Sequence, residues 1–289
     1  MIRKFLLSVI RRLYFIFPDR LYLKICFYLE MGRRLDLKSP KTMNEKLQWL
    51  KLYNRKPEYT TMVDKILVKE YVANLIGEEY IVPLLGVWNS PNEIDFDSLP
   101  DKFVLKTNHS GGNTGVVIVK DKAKINRSEV IKLLCTSLKS DIYKRYREWP
   151  YKNVQKKVFA EAYLGDDLAD YKFSCFDGYV DSVMICIDRQ VGEPKFYFFD
   201  SNWTLKRYNK RGLAAPSDFT LPKPDGLETM FDLASKLSRN IPYSRIDFYN
   251  INGKIYFGEI TFFPASGFDA NLLIETDLHF GNLINLVQS

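Results

Sequence analysis

Residues 244–267 read SRIDFYNINGKIYFGEITFFPASG. Two runs rich in β-branched and aromatic residues, RIDFYNI and KIYFGEITF, flank Asn252-Gly253. That dipeptide suits a two-residue hairpin turn, because both positions tolerate positive φ. Asp247 stands six residues before Gly253 and Glu259 six after it, so a hairpin sets the two carboxylates nearly opposite. On a half-buried sheet they would repel, and one pKa would rise. A hard divalent cation removes that repulsion, and Mg²⁺ takes one or two carboxylates together with phosphate oxygens. Taken alone, the pair fits a Mg²⁺ site and also fits two solvated acids on an open sheet face.

Upstream, Ser110-Gly111-Gly112-Asn113-Thr114-Gly115 joins the apolar runs KFVLKTN and VVIVK. Such a loop lets backbone N–H groups approach phosphate oxygens, and Lys106 on the incoming strand can add charge there. Glycines occur in many hairpins, and lysines stand on many exposed strands. Residues 1 to about 58 read as helical, with a break at Asp36-Ser39-Pro40 and a capping box, Thr42-x-x-Glu45, opening MNEKLQWLKLY. A second helix is predicted from near Thr61 to Gly77, and further helices over 127–149 and GLETMFDLASKLSRN. Strands are predicted in EEYIVPLLGVW, KKVFAEAYL, DYKFSCFDGYV and DSVMICIDR, the last two around Asp177-Gly178, with a loop over roughly 200–224. The mixture lacks a regular βαβ rhythm, which makes the fold class α+β.

The 289 residues are enough for about two packed lobes. The four cysteines are scattered and the histidines number two. This argues against a disulfide framework and a histidine- or cysteine-based metal cluster, and places the chain in a reducing cytoplasm. The net charge is +7, and residues 1–38 hold nine Lys/Arg against three acids, so the body is nearly neutral. A nucleic-acid binder is disfavoured, because the charge sits in one short segment and no nucleic-acid-binding motif appears. MIRKFLLSVIRRLYFIF has apolar runs too short for a spanning helix or a signal peptide. Ile2, Phe5, Leu6, Val9, Ile10 and Leu13 fall at helical spacing with basic residues between them. Such a helix lies on an anionic membrane surface or packs on the protein body.

SPKTMNEKLQWLKLY, VDKILVKEYV, GEEYIVPLLGVW, DSLPDKFVLKTNHSGGN, DYKFSCFDG and FGEITFFPASG together resemble the TupA-like ATP-grasp family, linked to teichuronopeptide and other surface-polysaccharide synthesis. The likeness runs over nearly the whole chain. It implies an ATP-grasp fold of two α+β lobes clamping ATP, with a helical extension (1–58), a small lobe carrying the glycine loop (59–158) and a C-terminal lobe carrying the metal site (159–289). Implied nucleotide contacts are Lys65, Lys106, Ser110, Gly111, Gly112, Asn113, Glu161 (adenine amino group), the Tyr163–Leu164 hinge, Asp170 (ribose) and Lys172 (γ-phosphate). Asp247, Glu259 and Thr261 would hold one or two Mg²⁺, and Arg245, with Lys172, would serve catalysis at an acyl phosphate. Thr261 departs from the family's usual Asn, which puts a second metal in doubt. Helices before Lys65 replace the usual α/β domain.

The implied activity is an ATP-dependent carboxylate–amine ligase. Its partners would be an amino acid and a uronic acid of a capsular or related glycan, at the inner face of the plasma membrane if the basic N-terminus contacts lipid. Tyr143, Tyr146, Trp149, Tyr151 and Trp203 are candidates to stack on sugars, or ordinary packing residues. Lys144, Arg145, Arg147, Lys206, Arg207, Lys210 and Arg211 are candidates to receive the uronate, or solvated surface. Two alternatives remain open: a kinase of a sugar hydroxyl using the same nucleotide site, and a glycosyltransferase, which would turn over a nucleotide-sugar without ATP.

Overall fold

A computed structural model describes residues 2–112, 114–166, 168–187 and 194–286; Asn113 lies outside them. In chain order the helices are α1 (Ile2–Arg12), α2 (Asp19–Met31), α3 (Met43–Tyr53), α4 (Glu58–Val63), α5 (Leu67–Ile76), α6 (Arg127–Leu138), α7 (Ile142–Tyr146), α8 (Lys210–Leu213), α9 (Leu227–Leu237) and α10 (Ile274–Leu283). The strands are β1 (Leu84–Trp88), β2 (Phe103–Thr107), β3 (Val116–Val119), β4 (Val158–Ala162), β5 (Ala169–Phe176), β6 (Tyr179–Ile187), β7 (Lys195–Phe199), β8 (Leu205–Lys206), β9 (Ser244–Ile251) and β10 (Lys254–Thr261).

Contacts divide the chain into two compact units. One comprises Met1–Arg55, Lys144–Trp149 and Ala169–Ser289; the other comprises Lys56–Tyr143 and Pro150–Leu168. These limits differ from the breaks at 58/59 and 158/159 anticipated from the sequence. β4 pairs with both β1 and β2, which keeps residues 158–162 with the smaller unit. Arg147 is buried and binds the carbonyls of Tyr14 and Phe17, which ties residues 144–149 to the helical N-terminus.

The smaller unit holds an antiparallel sheet ordered β1-β4-β2-β3. Phe103, Leu105, Val158 and Ala160 pack there with Val130 and Leu134 of α6. The predicted helix from Thr61 to Gly77 is interrupted. The buried Asp64 carboxylate accepts from the N–H groups of Ile66 (2.9 Å) and Leu67 (3.3 Å), and such side-chain competition for backbone donors ends α4 and caps α5.

The larger unit holds an antiparallel sheet ordered β10-β9-β5-β6-β7-β8. The capping box forms as anticipated: Thr42 Oγ1 accepts from Glu45 N–H and Glu45 Oε2 from Thr42 N–H. Phe173 packs edge-on against Phe231 of α9 and Phe248 of β9, so one face of this sheet is apolar. The opposite face is free to carry charge.

Candidate active site

The charged face of the larger sheet is built by register. Lys172 of β5 pairs across to Asp247 of β9, and Asp247 to Glu259 of β10; the next row runs Ser174, Arg245, Thr261. Residues directly opposite in an antiparallel ladder project to the same face, so these side chains share one surface. A plain hairpin would not have done this. The two-residue turn pairs Ile251 with Lys254 and Phe248 with Phe257, a register that places Asp247 opposite Gly258 and turns Glu259 to the other face. A bulge between Phe257 and Glu259 inserts one residue and brings Glu259 opposite Asp247. Gly258 makes the bulge possible, since a Cβ there would stand 3.0 Å from the Asp247 carbonyl oxygen.

Two cations hold the carboxylates. Arg245 donates from Nε to Asp247 Oδ1 (2.6 Å) and from Nη2 to Asp247 Oδ2 (2.7 Å), Glu259 Oε1 (3.0 Å) and Thr261 Oγ1 (3.2 Å). Lys172 Nζ lies 2.5 Å from both Asp247 Oδ2 and Asp170 Oδ2. Burial raises the Asp247 pKa, while Arg245 and Lys172 pull it back toward the charged form. The same carboxylates outweigh burial and raise the pKa values of Lys172 and Arg245, so both stay protonated.

Oxygens of Asp247, Glu259 and Thr261 thus converge on one cationic nitrogen, Arg245 Nη2. An all-oxygen set of two carboxylates and a hydroxyl suits a hard cation that completes its shell from phosphate and water. Among the described residues no group of three or more His, Cys, Asp or Glu has a metal-binding arrangement.

Just past β10 the chain makes a left-handed turn, with φ of 47° at Ala265, 54° at Ser266 and 65° at Gly267. Positive φ is costly for non-glycine residues unless the surroundings impose it. Fully buried Gln48 and Lys51, one helical turn apart on α3, impose it here. Gln48 Nε2 donates to the carbonyls of Ser266 (3.1 Å) and Gly267 (2.7 Å), and Lys51 Nζ to those of Ser266 (2.7 Å) and Tyr146 (2.9 Å). Ser266 Oγ donates to buried Glu148 (2.6 Å). Burial lowers the Lys51 pKa to about 8 despite the pull of Glu148, whose own pKa burial raises.

The smaller unit carries a second cluster. Glu161 on β4 is buried and ion-paired to Lys106, its cross-strand diagonal neighbour, and to Lys69 of α5 at 3.2 Å. Burial favours the neutral Glu161 carboxyl, but the two ammoniums outweigh it and lower its pKa. Lys69 was not among the residues singled out from the sequence; its one signal was a lysine beside Val68 and Val72 on an apolar helix face. Lys65 reaches the glycine loop, donating to Ser110 O at 2.7 Å. The loop is anchored by Ser110 Oγ, Thr107 Oγ1 and Ser137 Oγ in a chain of 2.6 and 2.9 Å contacts. Gly111 and Gly112 are exposed, and Gly112 and Gly115 have positive φ. At Gly115 a Cβ would also lie 2.1 Å from Ser137 Oγ. Tyr163 and Leu164 follow β4 and are half-buried.

Several proposed sugar contacts have structural work instead. Trp203 stacks on Phe199 at 4.6 Å and donates to Leu221 O. Arg147 is buried, with an ion pair to Asp19. Arg207 braces the carbonyls of Gly212, Leu213, Ala215 and Pro216. No helix among the described residues is long and apolar enough to cross a membrane.

The model of the TupA-like ATP-grasp family matches residues 45–285. No curated protein matches the chain. Solved structures similar to it include D-alanine–D-alanine ligase from Helicobacter pylori, at 16% identity and a TM-score of 0.46 over 84% of this chain and 69% of that one. The same enzyme from Bacillus anthracis matches at 19% identity and 0.44, over 77% and 65%. N5-carboxyaminoimidazole synthetase from Staphylococcus aureus, complexed with ADP, matches at 17% and 0.46, over 82% and 56%. The chain therefore spans between 56% and 69% of the length of these three. The family match runs from α3 past α10 and takes in both charged clusters: this α+β chain belongs to the TupA-like ATP-grasp family.

Proposed function

We propose that this protein is an ATP-dependent carboxylate–amine ligase that joins an amino acid to a uronic acid of a capsular or other cell-surface polysaccharide, held peripherally at the inner face of the membrane. The observation that carries the chemistry is the row Lys172–Asp247–Glu259 with Arg245 beside it, a charged surface on an otherwise packed sheet. Family membership supports the nucleotide, and the uronate and amino acid follow from the biology linked to the family.

Asp247, Glu259 and Thr261 would hold Mg²⁺, which when bound neutralises phosphate charge. Lys172 and Arg245 are fixed cations. Lys172 would meet the γ-phosphate, and Arg245 would stabilise charge developing on the acyl phosphate and on the tetrahedral adduct formed by the amine. Asp170 would contact the ribose. In the smaller unit Lys65, Lys106 and the 110–115 loop would bind phosphate, with Glu161 and the Tyr163–Leu164 backbone at the adenine. Because Glu161 already engages Lys106 and Lys69, Lys69 joins this set. No proton-relay triad is needed, since positioning and electrostatics carry phosphoryl transfer.

The test is ADP release screened over amino acids with a uronate acceptor. ADP formation that requires both an amino acid and the acceptor carboxylate is the expected result. Stoichiometric ADP from the acceptor alone, with a phosphorylated sugar as product, would establish the kinase instead. Glu259→Gln should abolish Mg²⁺-dependent turnover with the fold intact, and retained turnover removes Glu259 from the metal site.

A further inference from the structure

α1 carries two apolar stripes with different fates. Leu7, Ile10 and, just beyond the helix, Tyr14 turn inward, packing with Tyr22, Cys26, Phe17 and Leu29. Ile2, Phe5, Leu6 and Leu13 turn outward and stay exposed, Ile2 at 75% and Phe5 at 68%. Past α1, Phe15 (71%), Ile16 and Leu21 are exposed as well. Exposed Arg3, Lys4, Arg12, Arg20 and Lys24 stand among them. The acids of this region are already neutralised within the fold: Asp19 pairs with Arg55 and Arg147, and Glu30 with Arg11. The outer surface of residues 2–24 is therefore apolar and of one charge sign.

We propose that this surface docks the protein on an anionic lipid bilayer, with Phe5, Phe15 and Ile2 in the acyl boundary and the Lys/Arg side chains at lipid phosphates. An interface for a second copy or a folded partner would be depleted of charge at its centre. Here a basic side chain recurs within every few residues of the apolar stripe, the pattern of a helix lying in a membrane interface. The long Lys and Arg stems allow apolar contact while their heads reach anionic groups.

The inference does not depend on the ligase chemistry, and its test needs no turnover. The full chain is sedimented with phosphatidylcholine vesicles containing about 30% phosphatidylglycerol and with pure phosphatidylcholine vesicles, at low and high salt. Binding to the anionic vesicles alone, weakened by salt, is expected. Lys4→Gln with Arg12→Gln should lower the partition coefficient about 25-fold, roughly fivefold per charge. Phe5→Ser with Phe15→Ser should lower it about tenfold or more, with circular dichroism unchanged because both side chains are exposed. Equal binding to uncharged vesicles, or none to anionic ones, overturns the proposal. So does salt-sensitive binding that ignores the Phe substitutions and is shared with duplex DNA, which marks a general polyanion surface. A lipid-free dimer lost on Phe5→Ser/Phe15→Ser would assign the surface to a second copy instead.

Discussion

Lys51 is the residue on which the active-site geometry can be tested most quantitatively. Its ammonium is fully buried, donates to Gln48, Tyr146 and Ser266, and has its pKa lowered by burial from 10.5 to about 8. A folded pKa below the unfolded one means that the unfolded chain holds more protons between about pH 8 and 10.5, so stability rises with pH through that window. At ~1.4 kcal/mol per unit, integration makes the native protein about 2 kcal/mol more stable at pH 10 than at pH 7.5 on account of Lys51 alone. Lys51→Met by itself would strand Glu148 in the interior and cost about 3–5 kcal/mol. Combined with Glu148→Gln it removes both charges and leaves a chain expected to fold. Urea denaturation of the native protein and this double variant at the two pH values reads the effect. The native protein should gain about 2 kcal/mol more than the variant on going to pH 10. Parallel pH dependences would refute a buried, charged Lys51, and with it the clamp on the 264–267 turn.

Two further outcomes follow from the same geometry. Gly258→Val should strain the bulge that places Glu259 opposite Asp247, destabilising the fold by about 1–3 kcal/mol and lowering Mg²⁺-dependent ADP formation about a hundredfold, more than the loss of folded protein explains; a variant matching the native protein in turnover would show that the register is not required. Burial, with Lys156 nearby, lowers the His109 pKa to about 4, so its imidazole NMR signals should stay nearly constant between about pH 8 and 6, where an ordinary imidazole titrates. Stability linked to His109 should be present above about pH 6.5 and lost as pH falls toward 4, and an imidazole titrating near 6.5 would contradict its buried setting.

Much of this protein is legible in residue order. Asn252-Gly253 demands a hairpin turn, and the alternation on either side of it demands two strands. Thr42-x-x-Glu45 closes its capping box with bonds between residues three apart, and the Asp177-Gly178 turn forms where it is written. Each of these is set by neighbours within a few residues, where spacing and side-chain chemistry suffice. The pairing of Asp247 with Glu259 was anticipated by counting about Gly253, yet a two-residue turn alone shifts that register by one; a bulge at Gly258 restores it. The break at Asp64, the ion pair of Lys69 with Glu161, and the structural employment of Arg147 and Arg207 were not legible either. Nor was the bracing of a strained turn by Gln48 and Lys51, more than 200 residues earlier in the chain. These depend on which buried donor meets which acceptor across the fold. Sequence spacing carries the period of an element and the chemistry of its turn, but the burial that makes a lysine structural and the close approach that requires a glycine exist only once distant segments have packed.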